Sequence, residues 1–291
     1  MSRASIKTIN VILLIILGLS GQAYASEYVL GASYEDSHWN VKSSIFECKM
    51  DHEITGYGKL VFSKLAGLPE TADLDIWSLR SIPQLPAVIS FISPPWMDDK
   101  RHTKGWTFYF GEHRRPVEFS PRDARKILDS LKVGMMPVIS HRHNSDRTQG
   151  ISVQISPVNF IEGYNQYTYC LGSLLPYSYE ELRVTNILFD TASSRISNDM
   201  LKMLDHLINY AKDPDVHRLE ISGYTDSVGS FRANHQLASY RVESVRDYLI
   251  QNGISEKIIR LKIHGEQGAN SRNDSSHGRA KNRRVEVKMH R

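Results

Sequence analysis

From residue 184 onward the apolar positions switch repeatedly between two spacings. Val184 to Phe189 alternates and predicts a strand. Met200, Leu204, Leu207, Ile208 and Ala211 then recur at helical spacing behind Ser197, which suits an N-cap. Leu219 and Ile221 mark a second strand, and Leu237, Ala238, Val245 and Leu249 form a second helical stripe that Gly253 stops. Leu261 and Ile263 predict a third strand, Ala280 to Arg284 a short helical turn, and Val285 to Met289 a last strand. This alternation predicts an α/β layer, a mixed sheet with helices on one face.

Before residue 170 the pattern is different. Lys59–Ser63, Trp106–Phe110, Met136–Ser140 and Ile151–Ile155 are short runs rich in aromatic and β-branched residues, and His141 to Gly150 between the last two is a polar hairpin loop. One helix stands out: Ser120 is its N-cap, Pro121 its first position, and Ala124, Ile127, Leu128 and Leu131 share a face. The expected fold is mainly β, a sandwich or partly closed barrel with one helix. Two domains follow, residues 26–177 and 178–291, with the seam in Leu174 to Ser178. All four tryptophans precede Cys170, and their size places Trp39, Trp77 and Trp96 in the core.

The first residues carry their own signal. Arg3 and Lys7 precede an apolar run from Asn10 to Leu19, and Ala23-Tyr24-Ala25 is a small-x-small site before Ser26. Residues 1–25 are expected to be a secretory signal peptide cleaved after Ala25. The run is shorter than the roughly 20 residues of a membrane span, so no integral span is expected after cleavage. The net charge of +4 falls to +2 once Arg3 and Lys7 are removed, which gives no whole-chain attraction to nucleic acid. Cys48 and Cys170, alone in a chain bound for an oxidising compartment, are expected to form one disulfide.

Candidate chemistry lies late in the chain. Thr225-Asp226-Ser227-Val228-Gly229 follows a strand, Asn234 and Arg241 lie two helical turns apart on the next helix, and Asn282-Arg283-Arg284-Val285-Glu286 precedes the end. An acid, an amide and a base so arranged can receive a small zwitterion. A bare Asx-turn at Asp226 and an ordinary surface arginine at Arg241 are the plain readings of the same residues. On the zwitterion reading, replacing Arg241 by Ala abolishes binding and leaves folding intact. No Gly-x-Ser-x-Gly, phosphate-cradling glycine loop or Cys–His pair is present. His141-x-His143 with Asp146 matches no strong metal-ligand spacing. No catalytic residue, cofactor or metal is expected.

This ordered set resembles the OmpA-like peptidoglycan-binding domain over roughly the last 110 residues. Tyr224, Ala238 and Val242 depart from its usual His, Ser and Ala. The resemblance implies that Asp226 and Arg241 bind the diaminopimelate of Gram-negative peptidoglycan, with Asn234 supporting. Upstream, Cys48-x-Met50-x-His52-x-Ile54 with Gly56-Tyr57-Gly58, Pro157-Val158-Asn159-Phe160, and Cys170-Leu171-x-x-Leu174-Leu175-Pro176-Tyr177 resemble the MotY family of sodium-type flagellar motors. That resemblance implies a non-enzymatic periplasmic component of the basal body. Its implied partners are peptidoglycan, a MotX-like ring partner and the stator complex. The alternative is an OmpA-type outer-membrane protein or wall tether, against which Pro83, Pro86, Pro94 and Pro95 interrupt the strands a membrane barrel would need.

Overall fold

The structure, a computed structural model, describes residues 27–77, 86–110, 117–142 and 150–291. The expected signal segment 1–25, Pro83, His143 and Asp146 lie outside these residues. The chain divides between Leu174 and Leu175 into two compact units.

The first unit is built on two five-stranded sheets. One has the order β1 (Glu27–Gly31), β10 (Gly150–Gln154), β9 (Met136–Arg142), β6 (Pro86–Ile92), β7 (His102–Tyr109). The other runs in the order β2 (Trp39–Ser43), β3 (Glu47–Ile54), β4 (Gly58–Leu65), β5 (Thr71–Ile76), β8 (Val117–Phe119). All pairs among these strands are antiparallel except β1 with β10. Alternate residues face inward: Met50 opposes Phe62, and Leu60 opposes both His52 and Leu74. One buried cluster draws on both sheets, and neither sheet closes into a barrel among the described residues.

Two helices complete this unit, where the sequence pattern predicts one. Helix α1 (Pro121–Lys132) has Ser120 accepting the Asp123 amide and buries Ala124, Ile127, Leu128 and Leu131. Helix α2 (Phe160–Leu171) buries Phe160, Gly163, Tyr167 and Cys170, a helical spacing in which glycine and cysteine stand where aliphatic residues would advertise a stripe. Gly163 is required by contact, because a Cβ there would lie 2.6 Å from the Trp39 Cβ. Trp39 is buried as expected, its Nε1 donating to the Ser156 carbonyl. Trp77 and Trp96 are exposed, against the expectation from their size, and Trp96 lies edge-on to exposed Tyr34 at 6.3 Å.

The disulfide joins Cys48 on β3 to Cys170 on α2 across 122 residues. In the chain-entropy account a loop of this length stabilises by about 4 to 5 kcal/mol. Reduction is therefore expected to lower the denaturant midpoint of the first unit and leave that of the second unchanged. Tryptophan fluorescence follows the first unit, which holds all four tryptophans, and the part of the circular-dichroism transition that fluorescence does not report follows the second.

His52 adds a pH dependence. Its ring is fully buried, stacks on Trp39 at 4.7 Å, and donates from Nδ1 to the His38 carbonyl, while Nε2 has no partner. Burial holds its pKa below the usual histidine value, against the opposing pull of the His38 carbonyl, Asp51 and Glu53. A lowered folded-state pKa means that this contribution to stability is complete above the unfolded pKa of about 6.5 and is lost as pH falls below it. His52→Phe is expected to lose less stability than the parent between pH 7.5 and 5.5, measured by denaturant titration of both.

The second unit holds a four-stranded mixed sheet in the order β11 (Val184–Leu188), β14 (Arg284–His290), β12 (Arg218–Tyr224), β13 (Ile259–Gly265), with only β12 and β13 parallel. Its helices are α3 (Tyr179–Leu182), α4 (Asn198–Ala211), α5 (Phe231–Gln251) and α6 (Ser276–Asn282). Ser197 caps α4, and α5 ends at Asn252 with Gly253 following at φ 92°. Thr185, Ile187, Leu219, Ile221, Val285, Val287 and Met289 are buried on the face the helices cover. The other face is polar, with Glu220 paired to Lys262 and Glu286 to Lys288. Among the described residues no helix is long and apolar enough to cross a membrane.

Candidate functional site

The sheet of the second unit presents one end at which three chain segments meet. Strand β12 finishes at Tyr224, and the Thr225 amide then donates to the Gly265 carbonyl at 2.7 Å. Asp226 and Glu266 thus sit one residue beyond a paired position, on neighbouring strand ends. The chain turns through Gly229, at φ 109°, to Ser230, whose hydroxyl accepts the Ala233 amide at the start of α5. The third segment is the connection from α6 into β14, which brings Asn282, Arg283 and Arg284 to the same end.

Helix α5 lies unusually close to β12. A Cβ on Gly223 would fall 2.5 Å from Val242 Cγ2 and 2.8 Å from the Ala238 carbonyl oxygen, so glycine is what allows the approach. The approach turns Asn234, Ala238, Arg241, Val242, Val245 and Leu249 into the core.

Arg241 is fully buried. Its Nε donates to the Ser193 carbonyl at 2.7 Å, Nη2 to the Asp190 carbonyl at 3.0 Å and Nη1 to the Tyr224 carbonyl at 3.2 Å. The expected free fork is therefore already engaged with the backbone. Asp190 and Ser193 flank Ala192, a non-glycine residue at φ 53°, so the guanidinium grips both sides of a strained turn. Burial brings the Arg241 pKa down to about 10, with the Asp226 charge pulling it back up, and the side chain stays cationic at neutral pH.

Asp226 does two things. Its Oδ1 accepts the Val228 amide at 3.2 Å, which is the Asx-turn, and its Oδ2 pairs with Arg283 Nη1 at 3.1 Å. Asn234 is buried and donates from Nδ2 to Glu266 at 2.8 Å. Asp226 and Asn234 thus flank the turn that opens α5, while Arg241 lies behind them against Tyr224.

The Asn282-Arg283-Arg284 run has a separate task at each position. Asn282, fully buried, clamps the preceding loop through the Ser271 amide, the Ser271 carbonyl and Asn273. Arg283 ties Asp226 to the end of β11 by donating from Nε to the Phe189 carbonyl at 3.1 Å. Arg284 lies 3.9 Å over the Tyr224 ring, which stacks on His264 at 4.7 Å. Arg283 and Glu266 have no role in the sequence reading of the site. Arg283 has a signal there: it shares parity with the core-facing Val285, Val287 and Met289, and a charge at a core-facing position requires an acid. Glu266 has none, being 32 residues from its partner Asn234.

These contacts reverse the expectation that Arg241 can be removed without harm to the fold. Arg241→Ala removes a charged donor from each of three carbonyls and is expected to destabilise the second unit by about 3 to 5 kcal/mol, the cost of breaking a buried charged network. Arg241→Lys is expected to recover little, because one ammonium on a flexible stem does not reproduce the planar set of donors. Calorimetric unfolding of the whole chain would show the second unit's transition shifted and the first unit's unmoved.

Comparison with known proteins divides the chain in the same order. Residues 30–176 match the MotY N-terminal domain family, and residues 188–283 match the OmpA family. The sodium-type flagellar protein MotY of Vibrio parahaemolyticus is 28% identical over 279 residues, covering 93% of this chain and 94% of that protein. Outer membrane protein A of Bordetella avium is 32% identical over 101 residues, 35% of this chain and 52% of that one. Among solved structures, the C-terminal domain of Helicobacter pylori MotB covers 37% of this chain and 84% of that chain at 26% identity, with a TM-score of 0.35. With half of its length matched by the MotY N-terminal domain and most of the remainder by OmpA, the chain belongs to the MotY family.

Proposed function

We propose that this protein is a non-enzymatic, periplasmic part of the flagellar motor that anchors stator units by holding peptidoglycan through its second unit. The observation that carries the binding half is the Asp226–Arg283 ion pair, whose side chains are only 9% and 16% exposed. Buried opposite charges at a strand end are what a zwitterion can exchange with. The ammonium of a diaminopimelate centre takes Arg283's place on Asp226, and its carboxylate takes the donors that Arg283 releases. Every charge keeps a partner, which avoids the several kcal/mol cost of an unpaired buried ion. Arg241 backs this receptor as the fixed charge behind Asp226. Asn234 sets its rim by holding Glu266.

The motor half rests on the MotY N-terminal family match over the first unit. In this reading the first unit meets the basal body and a MotX-type ring partner. Exposed Trp77, Trp96 and Tyr34 suit that contact, since aromatic side chains dominate interface hot spots. The second unit then passes the reaction force of torque generation to the wall.

Asp226→Asn keeps the acceptor for the Val228 amide while the charge is lost, so the variant is expected to melt lower than the parent, Arg283 having lost its partner. Assayed below its melting temperature, it is expected to co-sediment with purified sacculi at least tenfold less than the parent, and free meso-diaminopimelate is expected to compete with the parent. Cells making only this variant should carry normal filaments and swim poorly. Undiminished pelleting of Asp226→Asn would refute the site. Full motility of a deletion strain with a fragile envelope would assign the protein to a wall tether unrelated to the motor.

A further inference from the structure

Strand β1 is held from one side only. It pairs in parallel with β10, and its other edge has no neighbour among the described residues. Tyr28 is 45% and Val29 57% exposed. A free edge is a row of unpaired N–H and C=O groups, which proteins ordinarily guard with lysine, a bulge, extreme shortness or a covering helix. The other three edge strands of the first unit follow that rule. Strand β2 carries Lys42 and has α2 resting on its Trp39, β7 carries Lys104 and sets both Gly105 and Trp106 opposite Ile89, and β8 has three residues. Strand β1 has none of these guards. Its five residues pair without a register shift and hold one charge, Glu27 at the first position.

We propose that β1 is a self-pairing edge, which docks antiparallel on β1 of a second copy of this chain and joins two five-stranded sheets into one. The strand's own sequence selects this occupant. With a two-fold axis at Val29, Glu27 faces Gly31 of the second copy, Tyr28 faces Leu30, and Val29 faces its equivalent. No like charges meet, because each carboxylate stands opposite a residue without a side chain.

Packing agrees with that register. Directly opposed residues of an antiparallel pair share a face of the sheet. Tyr28 and Leu30 lie beside the core residues Ile151 and Val153, so each Tyr28 ring covers a Leu30 that the first unit buries only in part. Val29 lies beside Ser152 on the other face, where two β-branched side chains meet. After the expected cleavage behind Ala25 only Ser26 precedes β1, which leaves no upstream segment to cover the edge. A contact of this length belongs to the weak, exchanging class of interface. It is independent of what the second unit binds.

The test uses the whole chain from Ser26. In sedimentation velocity at rising concentration the parent is expected to pass from monomer to dimer, whereas Val29→Lys, which sets two ammonium groups against each other at the axis, is expected to stay monomeric. Val29 is largely exposed, so the variant should fold, and an unchanged melting temperature verifies this. Single cysteines read the register. Under mild air oxidation Val29→Cys is expected to form a disulfide-linked dimer on a non-reducing gel at least about tenfold faster than Glu27→Cys, whose position faces Gly31 and not itself. If Val29→Lys melts lower, the cysteine pair alone decides. A position-specific cross-link supports the contact even where sedimentation finds the parent monomeric. A dimer that survives Val29→Lys in folded form, equal cross-linking of the two cysteine variants, or a monomeric parent with no cross-link overturns it.

Discussion

A guanidinium closed off from water organises one end of the sheet in the second unit. Arg241 reaches three main-chain carbonyls from two separate segments, the turn after β11 and the last residue of β12. The turn after β11 lies outside the sheet, and buried carbonyls short of donors are costly. The charge costs several kcal/mol to bury by itself, and that cost is offset by strong acceptors and the Asp226 charge nearby. Other features of this end follow. Gly223 lets α5 come close enough for Arg241 to reach, Ala192 accepts a strained backbone because both sides of it are held, and Asp226 is fixed beside the network it balances.

The first unit solves a different problem. Its two sheets and two helices enclose one buried cluster, and the segment that completes it, α2, is a poor helix by composition. Tertiary contact supplies what propensity does not. Gly163 allows the helix to rest on the Trp39 backbone, Trp39 in turn covers His52, and the Cys48–Cys170 bond ties the far end of α2 to β3. Loss of packing at Trp39 would therefore reach the helix, the sheet and a buried imidazole together.

How far the sequence discloses these arrangements depends on whether the deciding contact is local. Helix α1 is legible because its cap, its proline and its apolar face lie within a dozen residues. Helix α2 is not, because its buried positions hold glycine, cysteine and tyrosine, which carry little periodic hydrophobic signal. The parallel pairing of β1 with β10 joins residues more than a hundred positions apart and leaves no trace in either strand. Size alone places Trp77 and Trp96 inside, yet both are exposed, since exposed aromatic area is set by the shape of the surrounding surface. Asp226, Asn234 and Arg241 are legible in the sequence as neighbours of one strand end, but that Arg283 and not Arg241 pairs with the acid is decided by the connection from α6.

If Asp226 receives the wall peptide as proposed, its pairing with Arg283 has a particular consequence for a load-bearing tether. In that reading the Asp226–Arg283 pair competes with the ligand, so part of the binding free energy goes into separating it. The competition weakens affinity, but it spares the empty unit an unmatched buried charge. Release has the same requirement in reverse: ammonium and carboxylate must leave together before Asp226 and Arg283 can meet again. Withdrawal of either group alone leaves a nearly dry charge uncovered, so intermediate states on the exit path are high in energy and dissociation is slow relative to affinity. For a protein that transmits force to a polymer, resistance to that first step matters more than equilibrium occupancy, and an enclosed ion pair provides it where a solvated one, screened by water and salt, would not.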